Sequence, residues 1–239
     1  MSNKRLSVCT FKETNESHYN KFIKVKDNIL MNMTAKCGNT SIGYAGVQYN
    51  GDSLLSDEEY LNNKDKYEFN HITIATKSDD SWEKINSYLI NINDFTNISE
   101  NIVIVYRDPI DRFLSAFKTI CSSSGCSLSE AIKGYCNYIQ NIIISDKYDN
   151  SKLNYHIQPQ TNFYKNLSID QVSLFVPVDK LQDYFKSIDL TIPIFNSAHL
   201  YERQLKKIFA NQLDLSILKS FYKSDYEFFA QIPEEKLFK

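Results

Sequence analysis

The sequence predicts an α/β protein with a central, mainly parallel sheet flanked by helices. Three observations lead there. Short apolar or β-branched runs at 28–33, 71–76, 101–106 and 172–176 alternate with segments of helical period. The run at 101–106, NIVIVY, is continuously apolar, as suits a parallel strand covered on both faces. The run at 28–33 breaks after Ala35 into Lys36-Cys37-Gly38-Asn39-Thr40-Ser41, a strand feeding a small-residue loop and then a helix.

Taken in order, residues 1–27 read as polar and irregular, apart from a strand candidate at 6–11. A helix is expected from Thr40, short or kinked because Gly43 and Gly46 weaken it. Residues 50–66 read as a loop with a short helix near 57–61, and 71–76 (HITIAT) as a strand. The stretch 81–91 reads as a helix with Trp82, Ile85 and Leu89 on one face. After NIVIVY, Asp108 is a good N-cap and Pro109 suits a first helical turn. That helix is expected to reach about Ile120, with Phe113, Leu114 and Phe117 toward the core and Arg112 and Ser115 sharing another face.

Ser127 and Glu130 form a capping box for a further helix, whose apolar positions run from Leu128 to Ile143. Residues 146–155 are a polar loop, 179–187 a helix, and the tail from Leu200 two amphipathic helices. No repeat or linker divides the chain, so one domain over 1–239 is expected.

Composition narrows the function classes. The chain has 239 residues, 42% of them hydrophobic, enough for a sizeable core. Its formal net charge of −2 supplies no global basic field, so a nucleic-acid partner is not expected. No secretory apolar region opens the chain, and no apolar run is long enough to span a membrane. A cytoplasmic setting follows as the expectation. The five cysteines, Cys9, Cys37, Cys121, Cys126 and Cys136, include no CxxC pair and no four-ligand zinc spacing. They read as reduced and structural, although Cys121 and Cys126 are close enough to raise a disulfide or a metal site. Oligomeric state is left open.

The loop at 36–41 has the chemistry of an anion site. Gly38 can take backbone angles that other residues resist. The first N–H groups of the following helix point at the anion, Lys36 adds a full charge, and Thr40 and Ser41 add hydroxyl donors. It is not a Walker A loop, since the lysine precedes the glycine. Phosphate or sulfate binding is the expectation.

Four stretches in this order resemble the sulfotransferases that use 3′-phosphoadenosine 5′-phosphosulfate, and among them the carbohydrate group that includes the heparan and chondroitin enzymes. The first stretch is Lys36-Cys37-Gly38-Asn39-Thr40-Ser41, similar to that family's K-x-G/A-x-T-S. The second runs from Arg107-Asp108-Pro109 through Arg112 to Ser115, a full match to R-D/N/H-P-x-x-R-x-x-S. The third is His156-Ile157-Gln158-Pro159-Gln160 (H-x-x-P-Q). The fourth is Tyr222 to Phe229, with Asp225 as its acid. Two departures are Ile157, where the family often has Trp, and Ala35, where it usually has Pro.

The resemblance implies a P-loop-like sulfotransferase fold and sulfuryl transfer by in-line displacement, with no metal required. Lys36, Cys37, Gly38, Asn39, Thr40 and Ser41 would hold the donor's 5′ end, with Lys36 also reaching the bridging oxygen. Arg107 and Ser115 would take the 3′-phosphate. Arg112 either joins them or pairs with Asp111 or Asp108. The implied acceptor is a hydroxyl of a carbohydrate. For the base, His71 is placed ahead of His156, with Asp79, Asp80 and Glu83 left open. The competing readings are a P-loop-type kinase and a nucleotide-binding module without catalysis.

Overall fold

Lys21–Lys26 and Ile29–Asn32 form a hairpin, β1 and β2, joined through Asp27 and Asn28. Asn28 takes a left-handed conformation (φ 60°) that asparagine tolerates better than most residues. The structure, a computed structural model, describes residues 20–51, 85–94, 100–124, 156–192 and 215–239; for 94, 117–124 and 217 only the backbone is described. β1 corrects the expectation that residues 1–27 are irregular. Phe22 and Ile23 are adjacent and both fully buried, because they enter separate cores on opposite faces of the sheet. Three lysines and the lack of clean alternation hid the strand.

The sheet has five strands in the order β3-β1-β2-β4-β5. β3 is Leu89–Asn91, β4 Asn101–Tyr106 and β5 Leu174–Pro177. β2, β4 and β5 pair in parallel, and β1 is antiparallel to both of its neighbours. Only β1 therefore runs against the rest, so the mainly parallel sheet is found. β3 corrects part of the helix expected over 81–91. Residues 85–87 are helical, but Leu89, Ile90 and Asn91 pair with Ile23, Phe22 and Lys21. Pairing with the edge of β1 overrides local helical period here.

Both faces of β4 are covered, as its unbroken apolar run predicts. Val103 and Val105 join the core beneath helices α1 (Asn39–Tyr49) and α3 (Leu181–Ser187). Ile102 and Ile104 join the opposite core with Phe163, Tyr164 and Leu167. Helix α2, Pro109–Ser124, follows β4 and extends past the expected end near Ile120. α4 (Leu215–Phe221) and α5 (Lys223–Phe229) lie in the tail where helices are expected, whose residues 200–214 lie outside the described ones. Phe228 and Phe229 of α5 pack on the second core.

α1 runs for 11 residues despite its two glycines. Gly46 serves close packing: a Cβ there would lie 2.3 Å from Ile23 Cδ1 of β1. The strand expected at 71–76, the elements near 6–11 and 57–61, the helix after Ser127 and the loop at 146–155 lie outside the described residues.

Candidate functional site

The chain leaves β2 through α1 toward the β3 side of the sheet, whereas β4 lies on the other flank of β2. Such a divergence opens a crevice beyond the carboxyl ends of neighbouring parallel strands. The last paired residues of β2 and β4 are Met31 and Val103. Beyond them a side chain takes over. Asn32 Oδ1 accepts the Val105 N–H at 2.6 Å, and Asn32 Nδ2 donates to Val105 O at 3.3 Å and to Thr34 Oγ1. The polar Asn32 and Thr34 are buried at 1% and 0% exposure with these bonds made.

The loop after β2 enters the crevice. Lys36 (φ 66°) and Gly38 (φ 78°) both take left-handed backbone conformations. For lysine this is a strained state of the kind that collects at ligand sites. Gly38 is favoured by its φ, and a Cβ there would lie 2.5 Å from Leu181 Cδ2, so that side chain would have to shift. Ile42 N–H bonds Gly38 O at 3.0 Å. The N–H groups of Asn39, Thr40 and Ser41 therefore precede the first such helical bond, and no side chain among the described residues caps them. Lys36, Asn39 and Thr40 are half-buried and Ser41 is buried beside them. Bare helix N–H groups, a lysine and hydroxyls together can hold a tetrahedral anion.

The second loop leaves β4 at the same edge. Asp108 caps α2 as expected: its Oδ1 accepts the N–H groups of Ile110 and Asp111, each at 3.0 Å. Arg107 and Ser115 are half-buried. Arg112 lies beneath the first loop. Its side chain is fully buried, its Nε donates to Ala35 O at 2.8 Å, and its Nη1 donates to Gln158 O. Its guanidinium also lies 5.4 Å from the Phe163 ring centroid. Arg112 braces the first loop from beneath.

Gln160 joins the two loops. Its Oε1 accepts the Arg107 N–H at 2.9 Å and the Cys37 S–H at 3.0 Å, and its Nε2 donates to Arg107 O at 2.7 Å. Burial pushes the Cys37 thiol up to about 11, which keeps it a neutral donor. Gln160 is held in turn by α5. Asp225 Oδ2 accepts the Gln160 N–H at 2.9 Å and Oδ1 accepts the Thr161 N–H at 3.0 Å. Burial raises the Asp225 carboxyl, against the opposing pull of these N–H groups and of Arg112. Tyr222 OH donates to Ile157 O at 2.6 Å.

The first loop, Arg107 and Ser115 thus gather at one edge of the sheet. His156 is half-buried and opens the segment whose Gln158 and Gln160 touch the supports of both loops. His71, Asp79, Asp80 and Glu83 lie outside the described residues. Asn32, Gln160, Tyr222 and Asp225 carry roles that the sequence did not assign. Gln160, Tyr222 and Asp225 stand in recognised stretches, and that membership was the available signal.

A sequence model described as the sulfotransferase family matches residues 19–230, a span that takes in both loops, His156 to Gln160 and Tyr222 to Phe229. No curated protein and no solved structure matches the chain. With that span, the chain belongs to the sulfotransferase family and transfers a sulfuryl group.

Proposed function

We propose that this sulfotransferase uses 3′-phosphoadenosine 5′-phosphosulfate as donor and a carbohydrate hydroxyl as acceptor. The observation that supports the donor most is the pairing of two anion loops on adjacent parallel strands. One loop offers uncapped helix N–H groups, a lysine and hydroxyls, which suit a 5′-phosphosulfate. The other offers Arg107 and Ser115, which suit a separate 3′-phosphate. A ligand with anionic groups at both ends of an adenosine fits that division. The carbohydrate acceptor rests on the resemblance of the four stretches.

The donor supplies the sulfuryl group, whose bond to the bridging oxygen breaks as the acceptor oxygen bonds to sulfur. Lys36 stabilises charge growing on the leaving phosphate. The N–H groups of residues 39–41 hold the 5′ end in line with the attacking oxygen. His71 or His156 takes the hydroxyl proton. Asp108 spends one oxygen on two N–H groups of α2, an arrangement that favours a capping role over the magnesium ligand a kinase would want there.

Thermal shift tests the donor. Adenosine 3′,5′-bisphosphate is expected to raise the melting temperature well above the effect of ATP with magnesium, by mass action on the native state. Equal stabilisation by ATP would favour the kinase. A screen of glycans with labelled donor tests the acceptor; transfer only to non-carbohydrate hydroxyls would overturn that part. His71→Ala and His156→Ala, compared for turnover at unchanged bisphosphate affinity, assign the base.

A further inference from the structure

We propose that Gln160 is a positioning residue that sets the spacing between the two donor loops by acting as a missing rung of the β2–β4 ladder. The inference rests on the donor reading above. It starts from the edge of β4. In a strand, alternate residues direct their backbone groups to the same neighbour. Ile102 faces β5, since its carbonyl accepts the Ser173 N–H at 2.8 Å. Val105 and Arg107 therefore face the β2 side, where β2 has already departed.

Two side-chain amides fill the vacated positions in turn. Asn32 pairs with both backbone groups of Val105, and Gln160 pairs with both backbone groups of Arg107. A primary amide has the same donor and acceptor as a peptide group, so each reproduces a ladder contact. Neither brings a continuing strand, so the edge stays paired while the loop after β2 remains free to turn away.

Gln160 does more than Asn32. Its Oε1 also accepts from Cys37, one residue from Lys36 and one from Gly38. A single amide oxygen thus touches the backbone of the 3′ loop and a side chain of the 5′ loop. Gln160 is fully buried, and Asp225 fixes its backbone N–H. Beside the Arg112 contact to Ala35, the distance between the loops is accordingly held by a side chain that itself offers no surface to the ligand.

Spacing matters only to a ligand that spans both loops. The affinities of adenosine 3′,5′-bisphosphate, adenosine 3′-monophosphate and adenosine 5′-monophosphate, measured by calorimetry, separate a spacing role from general support. Gln160→Ala is expected to weaken the bisphosphate by about tenfold or more, against about twofold for either monophosphate, because the advantage of linked contacts depends on their geometry. Gln160→Met conserves volume and serves the same test if the alanine variant does not fold. Equal losses for all three ligands in a folded variant would overturn the proposal.

Amide hydrogen exchange without ligand gives an independent readout. Arg107 N–H is expected to exchange faster in Gln160→Met than in the parent, with exchange in β5 unchanged. Unaltered exchange at Arg107 would overturn the proposal regardless of nucleotide results. If the parent itself bound the bisphosphate no more tightly than the monophosphates, the two-loop donor reading would fail, and exchange at Arg107 would still decide whether Gln160 braces the loop.

Discussion

Helices α1 and α2 begin at the same edge of the sheet, after neighbouring parallel strands, yet their first turns are built in opposite ways. α1 starts behind Gly38, with no capping side chain and no acid in its first turn. α2 starts behind Asp108, which caps two N–H groups, and carries Asp111 in its first turn. Among the described residues, the positive end of α1 has no capping side chain, whereas that of α2 is answered from within the chain. An anion at the first loop can therefore be held by backbone, whereas one at the second depends on the side chains of Arg107 and Ser115. On the proposed donor reading, two sites of the same topology would bind by different means, and substitutions at them would have different consequences.

The largest effect is expected where both means meet. Lys36→Ala removes the one full positive charge of the α1 loop segment 36–41. It should lower turnover by about 10²–10³-fold, the range for a lost stabiliser of developing charge. Steady-state transfer with bound donor checks this; near-normal turnover would place leaving-group stabilisation elsewhere. Arg107→Ala is next. It should weaken bisphosphate binding by about 1.5–3 kcal/mol, as for hydrogen bonds to charged groups. Calorimetry on the folded variant decides, and undiminished affinity would mean that the second loop does not hold a phosphate.

Asp108→Ala should act on stability instead, costing about 1 kcal/mol for a lost cap with donor affinity retained. Denaturant unfolding beside calorimetry measures both; lost affinity at unchanged stability would reverse the contrast between the two helix starts. The smallest effect concerns the strained backbone at Lys36, whose φ is 66°. Lys36→Gly should be more stable than Lys36→Ala by roughly 0.5–1 kcal/mol, the left-handed cost of alanine less the extra unfolded-state freedom of glycine. Equal stabilities would show that the loop relaxes out of this conformation.

Much of the contrast is legible in sequence. Asp108 before Pro109 announces a capped helix, and a glycine two residues after a lysine announces an open one. β4 is legible too, because nothing but a doubly covered strand accommodates NIVIVY so simply. Direction is what the sequence withholds. Arg112 shares a recognised stretch with Arg107 and has the same chemistry, but its partners are carbonyls 77 and 46 residues away. Those carbonyls turn it inward. β1 and β3 were hidden for related reasons: Phe22 and Ile23 serve different cores, and Leu89 to Asn91 owe their extended state to β1. Gln160 looks like any polar loop residue until both its neighbours arrive from elsewhere.

The grip of Asp225 on Gln160 has a bearing on how the enzyme is made. The charged residues of both loops have been synthesised by Ser115, but the carboxylate that secures their connecting amide comes 65 residues after Gln160 itself. A nascent chain therefore carries its anion-binding groups long before it can hold them at working distance. The support of Gln160 is completed only once Asp225 has been made, and a chain cut short before Asp225 keeps Lys36 and Arg107 while lacking it. Ribosome-bound chains of increasing length should acquire bisphosphate-dependent protease resistance only once Asp225 has emerged; protection at a shorter length would show that the amide is secured without it.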